Sequence, residues 1–226
     1  MQKLENLTLV IPARYEADSL PITIKEIKEL FELKILVVLQ QDDFETINAI
    51  KKLDIEILYQ PNKGYGDALV FGISKVDTKY FSIFNADGSF NPNELSGMID
   101  KLNFEKFDIV FGSRYLKNAG SEDDTFLTFI GNKFFSFLGK ILFKLNISDI
   151  LYTFIVGDTK KVNELLLKSH DFRLCVEIPV NAKKQGLKIT DFPCHERPRI
   201  AGFKKVNEFK DGFLILMKLL MLKFSK

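Results

Sequence analysis

With 226 residues, 46% of them hydrophobic, the chain can bury one substantial core, and a 27% charged fraction excludes a disordered or fibrous polypeptide. The net charge of +2 hides an asymmetry. Residues 1–125 hold 14 Lys and Arg against 21 Asp and Glu, a net −7, while residues 126–226 hold 18 against 9, a net +9, so the back half suits an anionic partner: a membrane surface, a phosphate group or a nucleic acid.

Leu7–Ile11 is apolar and β-branched and predicts a buried strand. Asp18 or Ser19 can cap a helix with Pro21 in its first turn, and Leu20, Ile24, Ile27 and Phe31 then share one face. Ile35–Leu39 and Ile55–Tyr59 read as strands, with a helix to about Leu53 between them. The loop Pro61-Asn-Lys-Gly-Tyr-Gly66 leads into a helix through Lys75. Tyr80–Phe84 is a fourth strand ending in Asn85-Ala-Asp-Gly-Ser89, Pro92–Leu102 is helical, and Asp108–Phe111 is a fifth strand. Apolar strands alternating with helices specify an α/β fold whose mainly parallel sheet is covered on both faces. An acidic loop, Glu122–Asp124, precedes a long Phe-rich helix over Phe126–Leu145. Helices at Thr159–Lys168 and Cys175–Lys184, a strand at Lys188–Phe192, a basic loop at Arg197–Lys205 and an amphipathic helix at Asn207–Phe224 complete the pattern.

Cys175 and Cys194 stand in no metal-type spacing and fit a reducing compartment with inert thiols. Met1–Val10 contains charges and no apolar h-region, so no signal peptide is expected. Lys interrupts the apolar runs Phe134–Phe143 and Phe213–Leu222, so no bilayer-spanning segment is expected either. Lys133, Lys140 and Lys144 form one stripe of the Phe-rich helix. Phe209, Phe213, Leu216, Leu220 and Phe224 share a face of the terminal one, with Lys210, Lys218 and Lys223 around it. Such helices either pack on the sheet or lie in a membrane interface.

In an open α/β sheet, ligands bind beyond the carboxyl ends of the strands. Pro12–Glu16, Pro61–Asp67 and Asn85–Ser89 follow three of those ends. Asn85-Ala-Asp87 has the form of an Asp-x-Asp motif with its first Asp replaced. A carboxylate there suits a hard divalent cation that balances a nucleotide diphosphate, although Asp-Gly-Ser also reads as a plain turn. Lys63-Gly-Tyr-Gly66 opens a helix and offers a phosphate or ribose site, or a flexible connector. Arg14 and Glu16 can hold polar ligand groups or form a surface ion pair.

In this order the segments resemble family 2 glycosyltransferases, and within them the dolichol-phosphate-mannose synthase and polyprenyl-phosphate sugar transferase group. Val10-Ile-Pro-Ala-Arg-Tyr-Glu16 resembles the family's opening motif, and Asn62-Lys-Gly-Tyr-Gly-Asp-Ala68 its glycine segment. Ile83-Phe-Asn-Ala-Asp-Gly-Ser89 resembles its metal motif, and Ile109-Val-Phe-Gly-Ser-Arg-Tyr115 its Gly-Ser-Arg-Tyr segment. Gly131-Asn-Lys133 and Ser148-Asp149 match the later helix start and Asp. Arg199-Ile-Ala-Gly-Phe-Lys-Lys-Val206 matches the basic loop, so the likeness spans about Leu7 to Asp211. The chain departs from the pattern at Leu39-Gln-Gln-Asp42, where the family has Asp-Asp-Gly-Ser, at Asn85, at Tyr152-Thr-Phe-Ile155 and at Lys204. These departures imply altered substrate preference or lost activity.

The resemblance implies a GT-A, Rossmann-like domain over residues 1–206 and an amphipathic helix over 207–226. By similarity, Pro12, Ala13, Tyr15, Glu16, Asn85 and Ala86 line a nucleotide-diphosphate sugar, bordered by Gly64, Gly66 and Asp67. Asp87 with Asn85 holds Mg²⁺ or Mn²⁺, and Arg114, Arg199 and Lys205 gather phosphate oxygens. Asp149 stands near acceptor and sugar, as the base if the acceptor is a hydroxyl; a lipid phosphate needs none. The implied reaction is inverting transfer to a polyprenyl-phosphate-type lipid in cell-envelope biosynthesis, on the cytoplasmic face of the membrane. A polysaccharide or lipopolysaccharide acceptor, or an inactive binding protein, are the alternatives. No nucleic-acid partner is expected, and self-association is left open.

Overall fold

The computed structural model describes residues 2–224; Met1, and Ser225 and Lys226 of the expected 207–226 helix, lie outside the described residues. In chain order the elements are β1 (Gln2–Pro12), α1 (Leu20–Leu30), β2 (Phe31–Leu39), α2 (Phe44–Ile50), β3 (Glu56–Tyr59), α3 (Tyr65–Ser74), β4 (Tyr80–Ile83), α4 (Glu94–Phe104) and β5 (Ile109–Ser113). Then follow β6 (Gly120–Ser121), α5 (Phe126–Phe143), β7 (Ile155–Asp158), α6 (Thr159–Asn163), α7 (Leu174–Lys184), β8 (Ile189–Pro193), β9 (His195–Glu196) and α8 (Glu208–Phe224).

Seven strands form the main sheet in the order β3-β2-β1-β4-β7-β5-β8. All neighbours are parallel except at β7, which runs antiparallel to β4 and to β5. The remaining two strands, β6 and β9, pair as a small parallel ribbon. The sheet is mainly parallel, as its unbroken apolar strands predict; Leu9, Val10, Ile11, Leu36, Val37 and Val38 are fully buried. One face packs α1, α2 and α4 through Ile24, Ile27, Ile50, Leu95 and Met98. The other packs α3, α5, α6, α7 and α8 through Leu69, Phe135, Val162, Val176 and Ile215.

Four sequence expectations change. β7 was not foreseen: it is four residues long and contains Gly157, whose missing side chain lets Phe81 pack against it. The helix expected over Thr159–Lys168 stops at Asn163, and the chain turns through a left-handed Leu166. Ser19 occupies the start of α1 without capping it, because its hydroxyl donates to Glu16 Oε2 at 2.5 Å. A fourth change concerns α5, which by length and composition is able to cross a bilayer despite its lysines; only 22% of it is buried. Phe126, Phe129, Ile130, Phe134, Phe137 and Ile141 are exposed along it, and Phe209, Phe213, Met217, Met221 and Phe224 along α8.

Candidate active site

A cavity of about 740 Å³ opens beyond the carboxyl ends of β1, β2, β4 and β5 and reaches α5 and α8. Pro12, Ala13, Tyr15, Glu16, Gly64, Asn85, Ala86, Asp87, Arg114, Arg199 and Lys205 all line it, so the structure brings most of the expected residues together.

The turn after β4 orients Asp87. Its Oδ1 accepts the Ser89 N–H at 3.0 Å and the Ser89 hydroxyl at 2.7 Å, and that hydroxyl in turn accepts from Asn85 Nδ2 at 3.3 Å. Asp87 Oδ2 is left to the cavity, where Arg199 Nη1 stands 3.5 Å away. Arg199 gets there because the basic loop is stitched to this turn by Arg197 N to Ser89 O, 2.8 Å, and Ile200 N to Asp87 O, 2.9 Å. The Arg197 guanidinium reinforces the seam by donating to Gly88 O, Phe90 O and Glu26. Arg199 also donates to Asp123 at 2.8 Å.

At the end of β1, the nearly buried Glu16 pairs with Lys205. Arg14 pairs with Asp42 and lies over the Tyr15 ring, 4.3 Å from its centroid. Asp42 is thereby occupied, and it is the Gln40 side chain that lines the cavity at the end of β2.

Gly66 and Asp67 do not line the cavity; they stand behind Gly64 and Tyr65. A Cβ on Gly64, whose φ is +128°, would sit 2.0 Å from His170 O, and one on Gly66 would sit 2.4 Å from Ser169 O. The Asp67 N–H donates to His170 O at 3.1 Å, and Asp67 Oδ1 accepts from Asn62 Nδ2 at 3.1 Å. These glycines therefore allow close approach of the 169–171 segment, and Gly64 at the same time lines the cavity.

Arg114 is a buried hub. It donates to both Asp149 oxygens at 2.7 and 3.1 Å and to Glu196 at 3.1 Å, lies 3.5 Å from Asp124, and stands 4.7 Å from the Tyr152 ring centroid. Asp149 is fully buried behind it and is not among the residues that line the cavity. Burial pushes the Glu196 carboxyl up, opposed by Arg114. Burial also pushes the Cys175 thiol up to about 12 and the Cys194 thiol higher still, in keeping with inert thiols.

Sequence reasoning did not assign Asp123, Asp124 or Glu196. The first two carried a signal, an acidic cluster between a strand end and a helix cap; Glu196 carried none. Gln60, Phe172 and Cys175 also line the cavity, delivered by loops and a helix start that carry no motif of their own, as does Tyr65 from within the Lys63–Gly66 segment.

The model of Glycosyl transferase family 2 matches residues 8–166. An uncharacterized protein of Methanocaldococcus jannaschii is 26% identical over 97% of this chain and 93% of its own length. The UDP-N-acetylglucosamine–dolichyl-phosphate N-acetylglucosaminyltransferase of Methanococcus voltae is 29% identical over 76% of this chain and 70% of its own. Among solved structures, glucosyl-3-phosphoglycerate synthase from Mycobacterium tuberculosis, in complex with Mn²⁺, uridine diphosphate and phosphoglyceric acid, superposes with a TM-score of 0.74. That match has 13% identity and covers 99% of this chain and 80% of the other, which establishes the GT-A fold. The family match, the cavity at the strand ends and the Asn85–Ser89 turn agree: the chain belongs to the family 2 glycosyltransferases and is a transferase.

Proposed function

We propose that the protein transfers a sugar, with inversion, from a nucleotide-diphosphate sugar to a polyprenyl-phosphate-type lipid, while lying on the inner face of the cell membrane. The observation that carries this reading is the asymmetry of the cavity. Its strand-end wall is polar, whereas its far wall, Leu127, Phe135, Phe209 and Ile215, runs into the exposed apolar residues of α5 and α8. An exposed apolar patch of that extent marks an interaction surface. Lys133, Lys140, Lys210 and Lys223 on the same two helices favour anionic lipid.

The carboxylates favour an acceptor that is already an anion. Glu16, Asp87, Asp123, Asp124, Glu196 and Glu208 line the cavity, and each has a cationic or hydrogen-bonding partner. Asp149 is paired to Arg114, and a phosphate acceptor, unlike a hydroxyl, needs no carboxylate to take up a proton. Arg199 and Lys205 are placed to take phosphate oxygens in exchange for Asp123 and Glu16. The dolichyl-phosphate acceptor named for the Methanococcus voltae relative supports the same class.

The residues fit a divalent cation. Asp87 Oδ2 is left to the cavity, and Asn85, whose Nδ2 donates to Ser89 Oγ, lines the same cavity, so one turn offers two side chains with hard oxygens. No group of three or more His, Cys, Asp or Glu side chains able to hold a metal is found among the described residues, so donor phosphates and water must complete the shell, as Mg²⁺ and Mn²⁺ allow. Bound there, the cation neutralises charge on the departing diphosphate. Asn85→Asp adds a charged ligand and is expected to tighten Mn²⁺ binding about tenfold by calorimetry with nucleotide present. Unchanged or weaker affinity would place residue 85 outside the shell.

The test of the whole reading pairs a donor screen with vesicles. UDP-, GDP- and dTDP-sugars with Mg²⁺ or Mn²⁺ are offered to polyprenyl phosphate and, separately, to phosphoglycerate. Transfer to the lipid is expected, together with co-sedimentation on anionic vesicles that weakens as salt rises. Transfer to phosphoglycerate alone, with no pelleting at low salt, would replace the lipid by a soluble acceptor.

A further inference from the structure

We propose that Glu177 is a positioning residue that couples the seating of α8 to the donor-side loop, a role that rests on the reading of the cavity as a nucleotide-sugar site. Glu177 stands in the first turn of α7, its side chain 3% exposed. Its Oε1 accepts from Lys218 Nζ of α8 at 2.8 Å. Its Oε2 accepts the backbone N–H groups of Ser169 at 2.7 Å and Lys168 at 3.1 Å. Ser169 and His170 are the residues that press on the donor loop: their carbonyl oxygens fill the space beside Gly66 and Gly64, and His170 O holds the Asp67 N–H. Two residues further, Phe172 stacks on Tyr65 with ring centroids 4.9 Å apart, and both rings line the cavity. On the other side of the carboxylate, α8 contributes Gly212 and Ile215 to the same cavity. Glu177 thus joins two walls of the site without touching it.

Residues 164–173 lie in neither helix nor strand, so the loop has no ladder of its own and its place depends on such bonds. Burial pushes the Glu177 carboxyl up, but Lys218 and the N–H of Ser169 reverse this and hold it below the usual carboxylate range. Without the Lys218 charge, a buried anion is left with two amide donors. It then takes up a proton or turns toward water, and either change loosens the grip on Ser169.

Lys218→Met tests this, because Lys218 is outside the cavity lining. UDP and GDP, each with Mn²⁺, are titrated by calorimetry, and amide hydrogen exchange is followed at residues 64–68 and 168–171. Expected are about tenfold weaker binding of the better nucleotide and about tenfold faster exchange at Asp67 and Ser169, with kcat at saturating donor within about twofold of the parent. Leu219→Ala, the neighbouring fully buried position on α8, is the control for general loosening: it lowers the melting temperature and leaves nucleotide affinity unchanged. The proposal is overturned if Lys218→Met leaves affinity and exchange as they were, or if Leu219→Ala weakens binding equally. Should the parent bind neither nucleotide, UDP and GDP are ruled out as donor carriers, and exchange alone decides the coupling: faster at Asp67 and Ser169 upholds it, unchanged refutes it.

Discussion

On the proposed reading, Asp87→Ala is expected to lower sugar transfer by about a thousandfold with the fold retained, because it removes the carboxylate that would hold a cation against the leaving diphosphate. The charge on that diphosphate develops as the sugar departs, so the loss falls on kcat, and diphosphate binding weakens with it. The turn itself should survive. Asp87 supplies acceptors to Ser89, but the backbone bonds from Arg197 to Ser89 and from Ile200 to Asp87 do not involve its side chain. Removal of the carboxylate also frees Arg199 of one partner while Asp123 keeps it in place. Steady-state transfer with Mn²⁺, beside a thermal melt, checks both halves. Activity within tenfold of the parent would take Asp87 out of the metal site.

The second large effect is on stability rather than chemistry. Asp149→Ala leaves the Arg114 guanidinium without its bidentate partner in a site where its side chain is 8% exposed. Breaking a buried ion pair from one side costs about 3–5 kcal/mol, which for a chain of this length lowers the melting temperature by about 10 °C. Glu196 and Asp124 stay near Arg114 and hold the effect toward the lower end. A base for a hydroxyl acceptor would behave differently, losing turnover while the melt stays put. A stable but inactive Asp149→Asn would therefore support Asp149 as the base and with it a sugar acceptor.

The chain disclosed its fold and the composition of its site unequally, for physical reasons. Strands such as Leu7–Ile11 and Ile35–Leu39 are buried on both faces, so burial writes itself into them as unbroken apolar runs. β7 is four residues with a glycine, too short for any period to register, and only its neighbours in space make it a strand. The motif residues Pro12–Glu16 and Asn85–Asp87 were legible because their position after a strand end fixes where they go. Gly66, Asp67 and Asp149 were legible as members of motifs, but not in their placement. Two of them turn on contacts with residues 169–170, a hundred positions away, and the third on the direction of one buried side chain. Periodicity marked α5 and α8 as amphipathic, and what covers their exposed faces lies outside anything a single chain's pattern encodes.

The antiparallel β7 also bears on the order in which the molecule can assemble. β4 and β5 follow one another in the chain yet never pair; β5 touches only β7 and β8. Strands β1 to β4 can zip together as soon as they are made, each new parallel strand meeting one already in place. β5 must then wait, unpaired, for about forty further residues to arrive. During that interval β4 presents a bare edge, and a nascent chain halted near residue 154 exposes that edge to pairing with another copy. The segment that joins β4 to β5, residues 155–158, is thus the one whose late arrival makes the middle of synthesis the vulnerable interval.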